Sequence, residues 1–93
     1  MNKCMTNHLQ IIGRVQGVGF RNYLEYKARE IGISGWVRNR RDGSVEAVIS
    51  GERAAVEAMI DCARRGPRVA TVTEVRISPA NGEFSGFEVR PTT

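Results

Sequence analysis

The chain has 93 residues, 41% hydrophobic and 26% charged, proportions ordinary for a soluble globular protein with one modest core. That length leaves no room for a second domain, so residues 1–93 read as a single domain with its core over about 8–90. Fourteen Lys and Arg against ten Asp and Glu give a net charge of +4 and a pI near 9.7, which favours anionic partners. No stretch approaches the ~18 apolar residues of a membrane span. The first ten residues are mostly polar, which argues against a secretory signal. A cytoplasmic location and no membrane partner are expected.

In chain order, Leu9, Ile11, Gly13 and Val15 alternate with His8, Gln10 and Arg14, the pattern of a strand with one buried face. A loop follows, and Gly13, Gly17 and Gly19 put three glycines in seven positions. Phe20, Tyr23, Leu24, Ala28 and Ile31 then recur at helical spacing, predicting a helix over about 20–31 that Gly32 stops. Gly35 to Arg40 is strand-like, with Trp36 and Val37 inside it and Asn39 near its end. Arg41-Asp42-Gly43 signals a hairpin turn. Ser44 to Ser50 is the returning strand, in which Val45, Ala47 and Ile49 share a face. A second helix is predicted from about Glu52 to Arg65, with Val56, Met59, Ile60 and Ala63 on its apolar face and Gly66-Pro67 ending it. Thr71 to Ser78 forms a fourth strand with Thr73, Val75 and Ile77 in phase. After a loop at 79–82, Phe87 to Arg90 supplies a short fifth. The order βαββαβ predicts an α+β fold of the split βαβ kind, an antiparallel sheet with two helices on one face.

The chemistry concentrates in the first loop. Glycines there allow positive φ and close approach of a ligand to the main chain. The helix that starts after them directs its free N–H groups and positive dipole end toward the loop. Such a loop cradles anions, phosphate above all. Arg21 stands in the first helical turn, where a cation opposes the dipole by about 0.3–1 kcal/mol. A locally unfavourable choice beside an anion cradle points to function. Spacing alone leaves a plain turn with a solvated Arg21 equally open. Gly19 is followed by Phe20 and Arg21, so the Walker pattern is absent, and Asn22 stands where a dinucleotide loop needs its third glycine.

The run Gly13-Arg14-Val15-Gln16-Gly17-Val18-Gly19-Phe20-Arg21, with Ala28 seven residues on, resembles the signature of the acylphosphatase family. Gly32-Ile33-Ser34-Gly35-Trp36-Val37-Arg38-Asn39, followed by Asp42-Gly43-Ser44-Val45-Glu46, is similar to that family's second motif. Gly66-Pro67, Ala70, Val72, Phe84 and Phe87 resemble its C-terminal part. The resemblance implies a ferredoxin-like fold in which the third strand separates the first two, bringing Asn39 to the edge that carries the loop. It implies that Arg21 binds a phosphoryl group together with the main chain of Gln16, Gly17, Val18, Gly19 and Phe20, and that Asn39 orients the attacking water. The implied activity is hydrolysis of small acyl phosphates to carboxylate and inorganic phosphate by a monomer, with no metal and no cofactor.

Other readings of these residues are open. From its position alone, Asn39 suits a turn-flanking residue that bonds its own backbone. A ferredoxin-like RNA-binding module or a non-catalytic anion-sensing domain would also fit a basic chain. Against the former, the aromatic signature of RNA-binding sheets is missing and there are only six aromatic residues, so no nucleic-acid partner is expected. Cys4 and Cys62 lack metal spacing and read as free thiols, and His8 reads as structural. The clusters Arg38/Arg40/Arg41 and Arg64/Arg65/Arg68 read as solvated surface.

Overall fold

The computed structural model describes residues 4–93 and contains β1 (Cys4–Arg14), α1 (Phe20–Ile31), β2 (Ser34–Asn39), β3 (Val45–Glu52), α2 (Arg53–Arg65), β4 (Thr71–Pro79) and β5 (Phe87–Val89). Residues 1–3, the head of the expected 1–93 domain, lie outside the described residues. The sheet order is β4-β1-β3-β2-β5. Neighbours pair antiparallel except β2 and β5, which run parallel, so the sheet is mixed rather than wholly antiparallel. The short β5 escaped placement because three residues carry no signal of which edge they join. α1 packs over β2 and β5, and α2 over β1, β3 and β4. The fold is the α+β ferredoxin-like arrangement.

Alternation decides the faces. Leu9 and Ile11 of β1, Val37 of β2, and Val45, Ala47 and Ile49 of β3 are fully buried beneath the helices. They meet Phe20, Leu24 and Ala28 from α1 and Val56, Met59 and Ala63 from α2 in one hydrophobic cluster. Burying each Val, Leu, Ile, Phe or Met side chain among them stabilises by about 1.5–3 kcal/mol, which fixes the helices on this face. The Tyr23 hydroxyl donates to Cys62 O at 2.8 Å and ties the two helices together. Glycine stops α1: Gly32 takes φ 91° and its N–H donates to Ala28 O at 2.9 Å.

Three details differ from the sequence reading. β1 begins at Cys4, because residues 4–7 pair with β3 through backbone bonds that need no apolar alternation. In α2, Cys62 is buried and Ile60 only half-buried, since Cys62 lies three residues beyond Met59 on the inward stripe. In β4 the pairing skips from Glu74 opposite Ile12 to Val72 opposite Gly13, so Thr73 is the extra residue of a bulge. The bulge resets the phase. Val72 and Val75 pack against the core, whereas Thr73 is exposed and donates its hydroxyl hydrogen to Ile12 O at 3.0 Å. Only glycine allows this approach at position 13, where a Cβ would lie 2.1 Å from Thr71 O. Beyond the bulge, Gly13 and Arg14 pair with Val72 and Thr71, and the ladder runs up to the loop that follows β1.

Candidate active site

The loop from Val15 to Gly19 is held by apolar pegs. Val15 and Phe20 are buried, and Val18 packs against the core from the side. Phe20 also meets Tyr23 edge-on, with ring centroids 5.8 Å apart. Between the pegs, Gly17 (φ 73°) and Gly19 (φ 78°, ψ 22°) take the left-handed conformation that turns the main chain inward. A Cβ on either would meet no protein atom within 4 Å. Their glycine requirement is therefore set by backbone conformation, not by crowding from the protein.

Gly19 is the N-cap of α1, no side chain caps it, and the first turn contains no acid. The first helical bond runs from Tyr23 N–H to Gly19 O at 3.0 Å. The N–H groups of the preceding turn thus have no helical acceptor. They border a pocket of about 80 Å³ lined by Val15, Gly17, Gly19 and Phe20, by Arg21 and Asn22 on the helix, and by Asn39 across from them. That volume is far below the roughly 300–1,000 Å³ of sites for organic ligands and suits a group of phosphate size. Larger hollows exist, about 240 Å³ beside His8, Gln10, Arg40 and Glu46 and about 540 Å³ beside Ile31, Gly32 and Ala55. Neither combines helix-terminal amides with a cation that lacks a carboxylate partner.

Arg21 is half-buried, and among the described residues no carboxylate pairs with it. Asn39 reaches the pocket because it follows Val37 by two, on the helix-covered face of β2, just where the core ends and α1 begins. Its side chain makes no hydrogen bond among the described residues. The turn-building role belongs instead to Asp42, whose Oδ1 accepts from Ser44 N–H at 2.9 Å and Ser44 Oγ–H at 2.6 Å. Those bonds from Ser44 hold the Asp42 carboxyl below its ordinary value. Of the other loop residues singled out from sequence, Gly17, Gly19 and Phe20 line the pocket with Arg21, whereas Gln16 and Val18 turn their side chains away.

One group went unread in the sequence. Glu46, on the helix-free face of β3, is buried and accepts from His8 Nε2–H at 2.6 Å, Arg38 Nε–H at 2.7 Å and Arg40 Nη1–H at 3.1 Å. Burial raises its pKa, but the bonds from His8, Arg38 and Arg40 outweigh burial and hold the carboxyl at about 2. The signal was present: a hairpin centred on Asp42 sets Arg38 directly across from Glu46. Arg38 and Arg90 also cover the Trp36 ring, at 4.7 and 4.8 Å from its centroid. That ring is therefore closed to the base stacking by which RNA-binding sheets work. Cys4 and Cys62 are free thiols, exposed and buried respectively. Among the described residues, no three His, Cys, Asp or Glu side chains come together where they could hold a metal, and no helix is long and apolar enough to cross a membrane.

A ferredoxin-like sheet whose edge carries a glycine-built N-terminal turn, with a guanidinium and a carboxamide that have no partner among the described residues, defines a class, that of small α+β proteins able to enclose a phosphate-sized anion. Comparison with known proteins narrows the class. The acylphosphatase family model matches residues 7–89, and the chain belongs to the acylphosphatase family. It is 54% identical to an acylphosphatase of Thiobacillus denitrificans over 85 residues, 91% of this chain and 96% of that one. Its fold is similar to that of an acylphosphatase from Coxiella burnetii, with a TM-score of 0.91 and 36% identity over 96% of this chain and 94% of the other. The acylphosphatase of Bacillus subtilis superposes with a TM-score of 0.88 at 28% identity, over 92% of this chain and 98% of that one. These matches favour a hydrolase over a nucleic-acid-binding module.

Proposed function

We propose that the protein hydrolyses small acyl phosphates to carboxylate and inorganic phosphate in the pocket at the head of α1. Arg21 and the main-chain amides of Gln16 to Arg21 bind the phosphoryl group. A planar guanidinium can meet two phosphoryl oxygens at once, and the helix terminus adds donors of matching charge. Asn39 orients a water in line behind phosphorus, its Oδ1 accepting from that water or its Nδ2–H donating to it. The water oxygen attacks phosphorus, the bond to the acyl oxygen breaks, and the carboxylate leaves with the electron pair. The water's proton passes to a phosphoryl oxygen. A leaving carboxylate is a stable anion, so the step needs no general acid. Catalysis then reduces to placement and charge compensation, which are the capacities this site has.

The observation that carries the reading is the meeting of Arg21, without a carboxylate partner among the described residues, and the Asn39 side chain, without a hydrogen bond among them, around one small pocket at a helix N-terminus. The protein acts as a monomer in the cytoplasm, needs no metal, and has no nucleic-acid partner. Turnover of a synthetic aromatic acyl phosphate by the pure protein, followed by loss of the anhydride's absorbance with EDTA present, tests the reading. Undiminished hydrolysis is the expected result. Inactivity that a divalent ion restores would overturn the metal-free mechanism, and inactivity under both conditions would overturn the activity.

A further inference from the structure

Gln16 sits inside the cradle loop, yet its carboxamide leaves the pocket. Its Nε2 donates to Arg40 O at 2.7 Å and to Ser44 O at 2.9 Å. Those two carbonyls form the base of the β2–β3 turn, where Arg40 N–H donates to Ser44 O at 2.8 Å and Gly43 N–H to Arg40 O at 3.1 Å. Arg40 directly follows Asn39 in the chain. The β1–β3 ladder ends at Ile11 and Val45, so no sheet bond reaches from the loop to the turn. Among the described residues, the two bonds from Gln16 are the hydrogen bonds that join them.

We infer that Gln16 is a positioning residue that sets the placement of Asn39 against the phosphate cradle, and so the line from water to phosphorus. The inference rests on the reading of Arg21 and Asn39 given above. The residue type fits the task. A carboxamide nitrogen carries two N–H donors, and each carbonyl has two lone pairs, one used within the turn and one free for Gln16. The opposite amide orientation would set oxygen against two carbonyl oxygens, so the assignment is fixed by its partners. Glutamate would place a carboxylate against the same two oxygens. Asparagine is one methylene short. Arg40 is held from the far side as well, through its guanidinium on Glu46, so the acceptor that Gln16 grips is itself fixed.

The test compares kcat with phosphate affinity in Gln16→Met, which preserves side-chain length without the donors. The loop amides that touch phosphate remain, so the Kd for inorganic phosphate, read by thermal shift, should stay within about threefold. Misplacing the water-orienting group by about 1 Å costs on the order of 100-fold, so kcat for a synthetic acyl phosphate should fall roughly 10- to 100-fold. Gln16→Lys, which restores N–H donors, should recover part of that loss. In an Asn39→Ala background, Gln16→Met should change kcat by less than about threefold, because the residue it positions is gone. A full loss repeated in that background, or a Kd that weakens as much as kcat falls, would overturn the inference. Should Gln16→Met not fold, Gln16→Lys carries the test, with kcat expected within about tenfold of the parent and equal losses of kcat and affinity overturning it. If Asn39→Ala loses turnover and Gln16→Met does not, only this inference falls; if Asn39→Ala keeps full turnover, the water-orienting role falls and the inference with it.

Discussion

Arg21 and the pair Arg38 and Arg40 belong to neighbouring parts of the molecule, and the structure treats them oppositely. Arg38 and Arg40 share the buried carboxylate of Glu46 with His8, so their charges are compensated within the fold. Arg21 stands at the head of α1 with no carboxylate partner among the described residues and its charge opposed by the helix dipole. The carboxamides divide in the same way: Gln16 spends both donors on the hairpin, and the Asn39 side chain makes no hydrogen bond among the described residues. Satisfied polar groups build the scaffold. Groups left idle in a small, helix-capped pocket are available to a ligand, and their cost is borne until one binds.

Removing each member of the pair sharpens that contrast. Arg21→Ala should show the largest effect, a loss of turnover of at least about 10³-fold, as for other guanidiniums that compensate phosphoryl charge. Without ligand the variant should be as stable as the parent or up to about 1 kcal/mol more so, because a cation opposing the dipole is gone. Kinetics with a synthetic acyl phosphate and urea unfolding of the same preparation measure both. A variant that loses stability along with activity would place Arg21 with the scaffold.

Asn39→Ala should lower kcat roughly 10²- to 10³-fold, the scale of losing one oriented polar group in an active site. Phosphate should still protect it. A ligand that binds only the native state stabilises by about 2.7 kcal/mol at a hundredfold excess over Kd, so the Tm shift should match the parent's and exceed that of Arg21→Ala. A lower Tm with normal turnover would return Asn39 to a turn-building role.

Glu46→Gln tests the other side of the comparison. Its carboxyl titrates at about 2 in the folded protein against 4.5 ordinarily, which corresponds to about 3 kcal/mol of stability. Because the folded value is depressed, that stability is fully present above pH 4.5 and is lost as pH falls toward about 2. The difference between parent and Glu46→Gln in urea unfolding should therefore be about 3 kcal/mol at pH 7 and shrink through this window. The phosphate-induced Tm shift should survive. A difference independent of pH would remove Glu46 from the ion-pair cluster.

The smallest effect is expected at Gly19. A Cβ there meets no protein atom, but φ 78° costs a non-glycine residue about 1–2 kcal/mol. Gly19→Ala should unfold cooperatively with a loss of that size and bind phosphate more weakly, as the turn relaxes away from the left-handed conformation. Unchanged phosphate affinity would show that the cradle does not depend on this backbone angle.

Much of this arrangement was legible from residue order, because it follows from local rules. Alternation in Leu9 to Val15 and Val45 to Ile49, helical spacing from Phe20 to Ile31, and glycine at 17, 19 and 32 each act within a few residues, and they located the loop, the helix behind it and the hairpin that ends in Asn39. The idle character of Arg21 and Asn39 could not be read there, since it depends on which carboxylates and backbone groups lie near in space. Gln16 shows the limit most clearly: its sequence position is in the cradle, but its side chain serves a turn 24 and 28 residues away. The same holds for the bulge at Thr73, which shifts β4's inward phase through pairing with β1, and for β5, whose parallel edge beside β2 is set by Phe87 finding the core. Sequence by itself determined the elements and the chemistry each could offer. Tertiary structure decided which polar groups were consumed by the fold and which were left for a ligand, because hydrogen bonds and ion pairs are settled by distances of a few ångströms that chain order does not encode.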